Sequence, residues 1–286
     1  MVDQHFDVLQ DVEYALNEGG GILQNADKPS FYSIEFAQKV PLWLRLTAKG
    51  PTGHTSMPKH EAATHRLIQA LARLEQYEFP LLVVPAVQNV FTRRSEKMPP
   101  EKRDAYRNLE KSLQDAAFRA EFMKNPQDAI MVRNTLAITM LHGSTKENMY
   151  PAQASAVLDL RLLPGQDPND ILATLVKVMN DPSMTVEPLL SSMAQASPVD
   201  TELFRMIETV VHRHDPAARL TPNFISGFTD CNTLRSKGII CYGFLPIHIA
   251  LSDMERIHGR DERIATEELG HGTLLWHELV RDFARR

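Results

Sequence analysis

In the stretch "GPTGHTSMP", Gly50 to Pro58, His54 stands between glycines, small hydroxyl residues and a proline, directly after the apolar run "VPLWLRLTAKG". Glycine and proline at this density stop a strand and hold a loop in a defined shape, so the imidazole is offered from an irregular segment where it can meet a ligand. The competing reading is an ordinary surface turn. A second histidine, His258 in "ERIHGRDERI", follows an apolar strand and a loop, precedes Gly259 and lies beside Asp261 and Glu262. Loops at strand ends are where α/β folds assemble their sites, and imidazole is a common metal ligand. Asp230, in "GFTDCNTLRSKG", follows Gly227 at a helix start, where capping is the plain explanation. Asn148 and Arg161, in "ENMYPAQASAVLDLRLLPG", are an amide and a guanidinium. Converging on one pocket they suit a substrate carboxylate, because a guanidinium donates to it bidentately; otherwise Arg161 is a solvated strand arginine. Eleven histidines and 36 acids leave room for a metal site, but no H-E-x-x-H spacing occurs.

The elements that must hold these groups are legible as periodicities. "QDVEYALNEGGGILQ" looks like a strand that places Glu18 at its end, before a glycine turn. "VPLWLRLTAKG" is a strand, followed by an amphipathic helix over "HEAATHRLIQALARLEQYEF" with Ala63, Leu67, Ala70 and Leu74 on one stripe. "FPLLVVPAVQNVF" is apolar and β-rich, and residues 99–127 turn polar and helical. "NTLAITMLHG" and "AQASAVLDLRLLPG" are strands; the second alternates, with Val157, Asp159 and Arg161 on one side and Ala156, Leu158 and Leu160 on the other. Helix "PNDILATLVKVMN" and strand "MTVEPLL" complete a βαβ-rich middle section, and the polar "SSMAQASPVD" marks a boundary. Helices "TELFRMIETVVHRH" and "TDCNTLRSKG", strand "GIICYGFLP" and a terminal helix form a further alternating α/β section.

With 286 residues, 43% of them hydrophobic and 23% charged, the chain has the composition of one large or two medium globular domains. A net charge of -5 gives nucleic acid or an anionic membrane surface no electrostatic support, so neither is expected as a partner. No run approaches the roughly 20 apolar residues of a membrane helix and "MVDQHFDVLQ" lacks a signal-peptide pattern, which leads to the expectation of a cytoplasmic chain. Cys231 and Cys241 are too few for a disulfide scaffold or a thiolate zinc site and are expected as buried free thiols.

In order, "LNEGGG", "GPTGHTSMP", "ENMYPAQASAVLDLRLLPG", "SGFTDCNTL" and "RIHGRDERI" give the chain an end-to-end resemblance to the zinc-dependent peptidases and amidohydrolases. That family includes carboxypeptidase S, aminoacylase and the glutamate carboxypeptidases; carboxypeptidase S and the secreted N-acyl amino acid hydrolases are the most similar. The resemblance implies an α/β fold: a zinc-peptidase catalytic domain with a mixed sheet and flanking helices, here partial, interrupted by a smaller βαβ-rich lid. The expected boundaries are 1–39 and 192–286 for the catalytic segments and 40–191 for the lid, through which a homodimer would form. It implies Glu18 as a ligand of one zinc and His258 as a ligand of the other. His54 would reach the partner subunit's site and stabilise the oxyanion, Asn148 and Arg161 would hold the substrate carboxylate, and the loop from Gly227 to Asp230 would line the pocket. The substrate would be a peptide or an N-acyl amino acid, cut at an amide next to a free carboxylate.

The family's first metal histidine, in an H-x-D motif, its bridging aspartate and its paired glutamates all lie upstream of the position matching Glu18. "HFD" at His5 to Asp7 and "TEELG" with Glu267 and Glu268 imitate these motifs in the wrong places. A catalytic zinc usually takes three protein ligands plus water, so partial or absent zinc occupancy is expected. The leading expectation is therefore a truncated homologue, inactive alone. The alternatives are half of a split enzyme completed by another chain and a non-catalytic dimerising or binding module.

Overall fold

The computed structural model describes residues 6–23, 30–96, 98–250, 253 and 256–285. In chain order its strands are β1 (Tyr14–Asn17), β2 (Gly21–Leu23), β3 (Phe31–Gln38), β4 (Val40–Lys49), β5 (Gly53–His54), β6 (Thr135–His142), β7 (Met149–Tyr150), β8 (Gln153–Leu162), β9 (Thr185–Ser191), β10 (Arg219–Ile225) and β11 (Ile240–Gly243). The helices are α1 (Ala63–Glu75), α2 (Pro85–Ser95), α3 (Pro100–Arg107), α4 (Leu109–Ser112), α5 (Ala116–Phe122), α6 (Pro126–Ala129), α7 (Pro168–Met179), α8 (Glu202–His214), α9 (Cys231–Ser236) and α10 (Thr266–Ala284). None of the described helices is long and apolar enough to cross a membrane.

The chain divides into two compact units, one of Met1–Gln38, Pro85–Asp115 and Gln195–Arg286, the other of Lys39–Val84 and Ala116–Ala194. In this division the segment carrying α2, α3 and α4 falls in the first unit. The apolar run "FPLLVVPAVQNVF" gives helix α2 rather than a strand: Pro85 sits at its start and Ala86, Val87, Val90 and Phe91 are buried at helical spacing.

The second unit is a four-stranded antiparallel sheet in the order β6-β8-β4-β9. Helix α1 runs from β4 toward β6, and α7 joins β8 to β9, so each crossover returns beside its starting strand with one antiparallel strand between. This is the split βαβ, ferredoxin-like arrangement. Alternation decides the faces of β8: Ala156, Leu158, Leu160 and Leu162 are buried, while Val157, Asp159 and Arg161 are only partly covered. The buried row meets Leu42, Leu44 and Leu46 of β4 and the stripes Leu67, Leu71 and Leu74 of α1 and Ile171, Leu175 and Met179 of α7. Local signals fix α7: Asp167 caps it by accepting from Asn169 N–H at 2.8 Å, Pro168 opens it, and Asn180 ends it in the left-handed conformation at φ 48°.

In the first unit a mixed sheet runs β1-β11-β3-β10, with β2 also on β3. β1 is parallel to β11 and β10 to β3, whereas β11 meets β3 antiparallel at the single pair Gly243 and Glu35. Helix α8, capped by Thr201 accepting from Phe204 N–H at 3.2 Å, buries Leu203, Phe204, Ile207, Val210 and Val211, and α10 buries Leu275 and Leu279. Cys231 and Cys241 are fully buried as expected, but they are not free thiols: they form a disulfide with Cα atoms 5.3 Å apart. The two lie only 10 apart in sequence, and the short helix α9 returns the chain to β11 beside its own start, a proximity that cysteine counting does not reveal.

Candidate functional site

The loop that carries His54 is built by glycine and lysine. Gly53, at φ 151°, adopts a backbone conformation that side-chain-bearing residues rarely enter, and Lys59 ties the loop by donating from Nζ to Thr52 O. Gly53 and His54 pair with Tyr150 and Met149 as the two-stranded ribbon β5-β7, and Thr55 N–H donates to Asn148 O at 3.2 Å. His54 and Asn148 are thus exposed neighbours, with His54 Nε2 3.5 Å from Asn148 Nδ2. His54 Nδ1 accepts the Ser56 N–H at 3.1 Å and lies 2.8 Å from Ser56 Oγ. A nitrogen that accepts a backbone N–H carries no proton of its own, so the neutral ring holds its proton on Nε2. In that tautomer the 3.5 Å approach of the Asn148 amide nitrogen to Nε2 is a contact between two exposed N–H donors, not a hydrogen bond from one to the other. Ser56 escapes a reading by residue type; only its two-residue spacing from His54 marks it.

Arg161 lies elsewhere. β8 pairs with β4 so that Gln153 faces Lys49 and Arg161 faces Pro41. The eight steps from 153 to 161 span about 26 Å of strand, and the His54 ribbon continues past the Lys49 end. One copy of the unit does not bring Asn148 and Arg161 together. Arg161 instead donates to Asp159, Nε to Oδ1 and Nη2 to Oδ2, both at 3.0 Å. Alternation had put the two side chains on one face without indicating that they pair. Near this end of the sheet Lys39 is fully buried, its Nζ donating to Arg133 O at 2.7 Å. Burial, with Arg133 and Arg161 adding like charge, brings its pKa down to about 7. No motif flagged Lys39.

In the first unit Glu18 is exposed on the loop that leaves β1. The following turn depends on Gly20, at φ 76°, where a Cβ would collide with Ser33 O. His258 is exposed with φ 60°. Ion pairs brace its segment, Arg256 and Arg263 each reaching Asp253 at 3.1 Å. Gly227 has open space around it and Asp230 is exposed. Asp230 does not cap α9 with its side chain; Thr229 Oγ1 accepts from Cys231 N–H at 3.3 Å instead. Thr229 is gripped by Gln38, whose Oε1 accepts from Thr229 Oγ1 at 2.9 Å and whose Nε2 donates to Thr229 O at 3.0 Å. Glu268 of the "TEELG" stretch accepts from His248 N–H at 2.9 Å, while His5 of "HFD" lies outside the described residues. Among the described residues no three His, Cys, Asp or Glu side chains are grouped to hold a metal ion. By themselves they do not fit a catalytic zinc centre, which takes three protein ligands.

Residues 36–186 match the family model described as the peptidase dimerisation domain. The chain is 25% identical over 295 residues to a probable carboxypeptidase S-like protein of Dictyostelium discoideum, covering 98% of this chain and 55% of that protein. It is 27% identical over 263 residues to the N-fatty-acyl-amino acid synthase/hydrolase PM20D1 of Xenopus tropicalis, covering 90% of this chain and 51% of that protein. The chain thus spans about half the length of these relatives. Among solved structures, the di-peptidase Dug1p of Saccharomyces cerevisiae aligns with TM-score 0.64 at 12% identity, covering 100% of this chain and 62% of that one. An M20 family metallo-carboxypeptidase of Sulfolobus solfataricus aligns with TM-score 0.62 at 16% identity, covering 93% and 62%. These two alignments concern the fold.

Proposed function

The chain belongs to the M20 peptidase dimerisation-domain family, and from that premise we propose that it is the substrate-holding part of a metal-dependent hydrolase that cleaves an amide next to a free carboxylate. The observation that carries this reading is the pair of donors on the β5-β7 ribbon. An amide carbonyl under attack gathers negative charge on oxygen, and donors fixed in advance stabilise that charge without reorganising. His54 Nε2–H and the Asn148 amide are 3.5 Å apart, close enough for one oxygen to accept from both. The substrate classes named for the relatives, peptides and fatty-acyl amino acids, both contain an amide beside a carboxylate or amine terminus.

Arg161 is the group suited to that carboxylate. Its separation from His54 along the sheet exceeds the length of a dipeptide several-fold, so one substrate is served by His54 and Asn148 of one copy and Arg161 of another. A homodimer through the dimerisation domain supplies both. Glu18, His258 and the loop from Gly227 to Asp230 stand on exposed loops of the first unit. There Glu18 and His258 each offer one ligand to a zinc centre completed by further residues, and the Gly227 to Asp230 loop offers a pocket wall.

The test is release of free amino acid from N-acyl amino acids and dipeptides, by the chain alone and mixed with a polypeptide spanning the part of the relatives that it does not cover. EDTA-sensitive turnover that His54→Ala lowers by about 100-fold or more agrees with an oxyanion donor. Turnover that His54→Ala leaves unchanged defeats the reading. A second reading, a non-catalytic dimerising module, is favoured by edge strand β6, where Ile138, Met140 and Leu141 are exposed. Dimerisation without turnover in either mixture selects it.

A further inference from the structure

The bond pattern at Arg161 contains more than an ion pair. A guanidinium has two edges that accept a carboxylate side by side, one made by Nε and Nη2 and one by Nη1 and Nη2. Asp159 occupies the first, with Nε to Oδ1 and Nη2 to Oδ2 both at 3.0 Å. Nη1 makes no hydrogen bond among the described residues, and the Arg161 side chain keeps 30% of its surface exposed. The two residues are two apart on β8, hence on the same face of the sheet. The neighbouring backbone is held on both sides, Arg161 facing Pro41 of β4 and Thr135 of β6.

We propose that Asp159 is a positioning residue: it clamps the Nε and Nη2 edge of Arg161 and presents the Nη1 and Nη2 edge as a preset fork for the substrate carboxylate. This rests on the reading above that Arg161 holds that carboxylate. The alternative is that Asp159 masks Arg161 and must be displaced. Two features weigh against displacement. A clamped arginine has already lost its rotamer freedom, which a free one gives up on binding. A second carboxylate beside Asp159 also meets a site open to water, the Asp159 side chain being 23% exposed. Repulsion between the two acids is thereby damped, and salt at physiological strength screens it further at this partly exposed site.

The experiment uses the full chain with N-acetyl-leucine and its carboxamide, N-acetyl-leucinamide, as probes, followed by NMR. The Arg161 Hε resonance is identified by its loss in Arg161→Lys. The wild-type chain is expected to bind the carboxylate in preference to the carboxamide, with the Nη protons shifting and Hε staying in place. Asp159→Ala and the isosteric Asp159→Asn are each expected to weaken carboxylate binding about 5- to 10-fold, and Asp159→Glu to recover part of it; backbone amide spectra verify that each variant is folded. An Hε signal that moves on binding, or unchanged or tighter binding in Asp159→Ala and Asp159→Asn, overturns the positioning role. Arg161→Ala separates the two levels. If it retains carboxylate preference, the reading of Arg161 itself falls; if it loses that preference while the Asp159 variants keep it, only the role of Asp159 falls. A wild-type chain with no preference for the carboxylate overturns both.

Discussion

Glu35 and Arg235 face each other inside the first unit through two parallel hydrogen bonds of 2.8 Å, Nη1 to Oε1 and Nη2 to Oε2. Their side chains are 0% and 2% exposed, so neither charge has water to fall back on. Arg235 also donates from Nε to Ser197 Oγ at 3.0 Å and from Nη2 to Cys241 O at 2.7 Å, while Glu35 accepts from Gly243 N–H at 3.1 Å. One ion pair therefore ties β3, β11 and α9 together. Burial pushes the Glu35 carboxyl up, and Arg235 and the Gly243 amide pull it back.

Removing one partner leaves the other charge buried and unpaired. Arg235→Met is expected to destabilise the first unit by about 3–5 kcal/mol in urea unfolding, whereas Arg235→Met with Glu35→Leu loses less, because no lone charge remains. A double variant as damaged as the sum of the two singles contradicts this account.

Lys39 makes stability depend on pH in a defined direction. Its folded pKa, about 7, lies below the ordinary lysine value, so the unfolded chain binds the extra proton between roughly pH 7 and 10. Stability is expected to rise with pH across that window, with this group contributing about 1.4 kcal/mol per pH unit. Above it Tyr32 and Tyr242, pushed up to about 12 by burial, reverse the trend. Denaturant titrations of the wild type and Lys39→Met at several pH values check the point, the variant showing the shallower slope.

The Cys231 to Cys241 disulfide closes a short loop around α9, a six-residue helix too brief to hold itself. Loss of a bond closing so short a loop is expected to cost about 2–3 kcal/mol, read as a lowered melting temperature for Cys231→Ala with Cys241→Ala. Because both cysteines are fully buried, alkylation should require both a reductant and denaturant. Rapid alkylation of the native, unreduced chain would contradict the bond.

Strand β6 is an edge whose outer positions include Met140 and Leu141, 51% and 64% exposed. Unpaired, apolar edges invite a second strand. Met140→Lys with Leu141→Lys is expected to convert a sedimenting dimer to monomer at micromolar concentration. A dimer unaffected by both charges must associate through another surface.

His54 and Asn148 act on the same oxygen in the proposed mechanism, so their losses should not add. The double variant His54→Ala with Asn148→Ala is expected to fall short of the product of the single-variant defects in kcat. Multiplicative defects would mean that the two side chains serve different atoms.

Much of the second unit was legible in advance, since the alternation along "AQASAVLDLRLLPG" and the stripe through Ala63, Leu67, Ala70 and Leu74 are periodicities that one buried face imposes on any sequence. Helix α2 was misread because short apolar runs carry no decisive period, and the burial of Ala86, Val87, Val90 and Phe91 shows only when a neighbour covers them. The disulfide and the Glu35 to Arg235 pair, 10 and 200 residues apart in sequence, have no local signal at all.

The same divide runs through the candidate site. Residue types and their local order already state which chemical groups are offered and from what kind of segment: an imidazole on a glycine-built loop, a guanidinium on an alternating strand, a carboxylate at a strand end. Folding settles who meets whom, putting Asn148 beside His54, Asp159 on one edge of Arg161 and Lys39 in the interior within electrostatic reach of Arg133 and Arg161. Residue type and local periodicity are properties of a few consecutive residues. Proximity and burial depend on how distant strands register against one another, and they set the charge, tautomer and orientation on which binding depends.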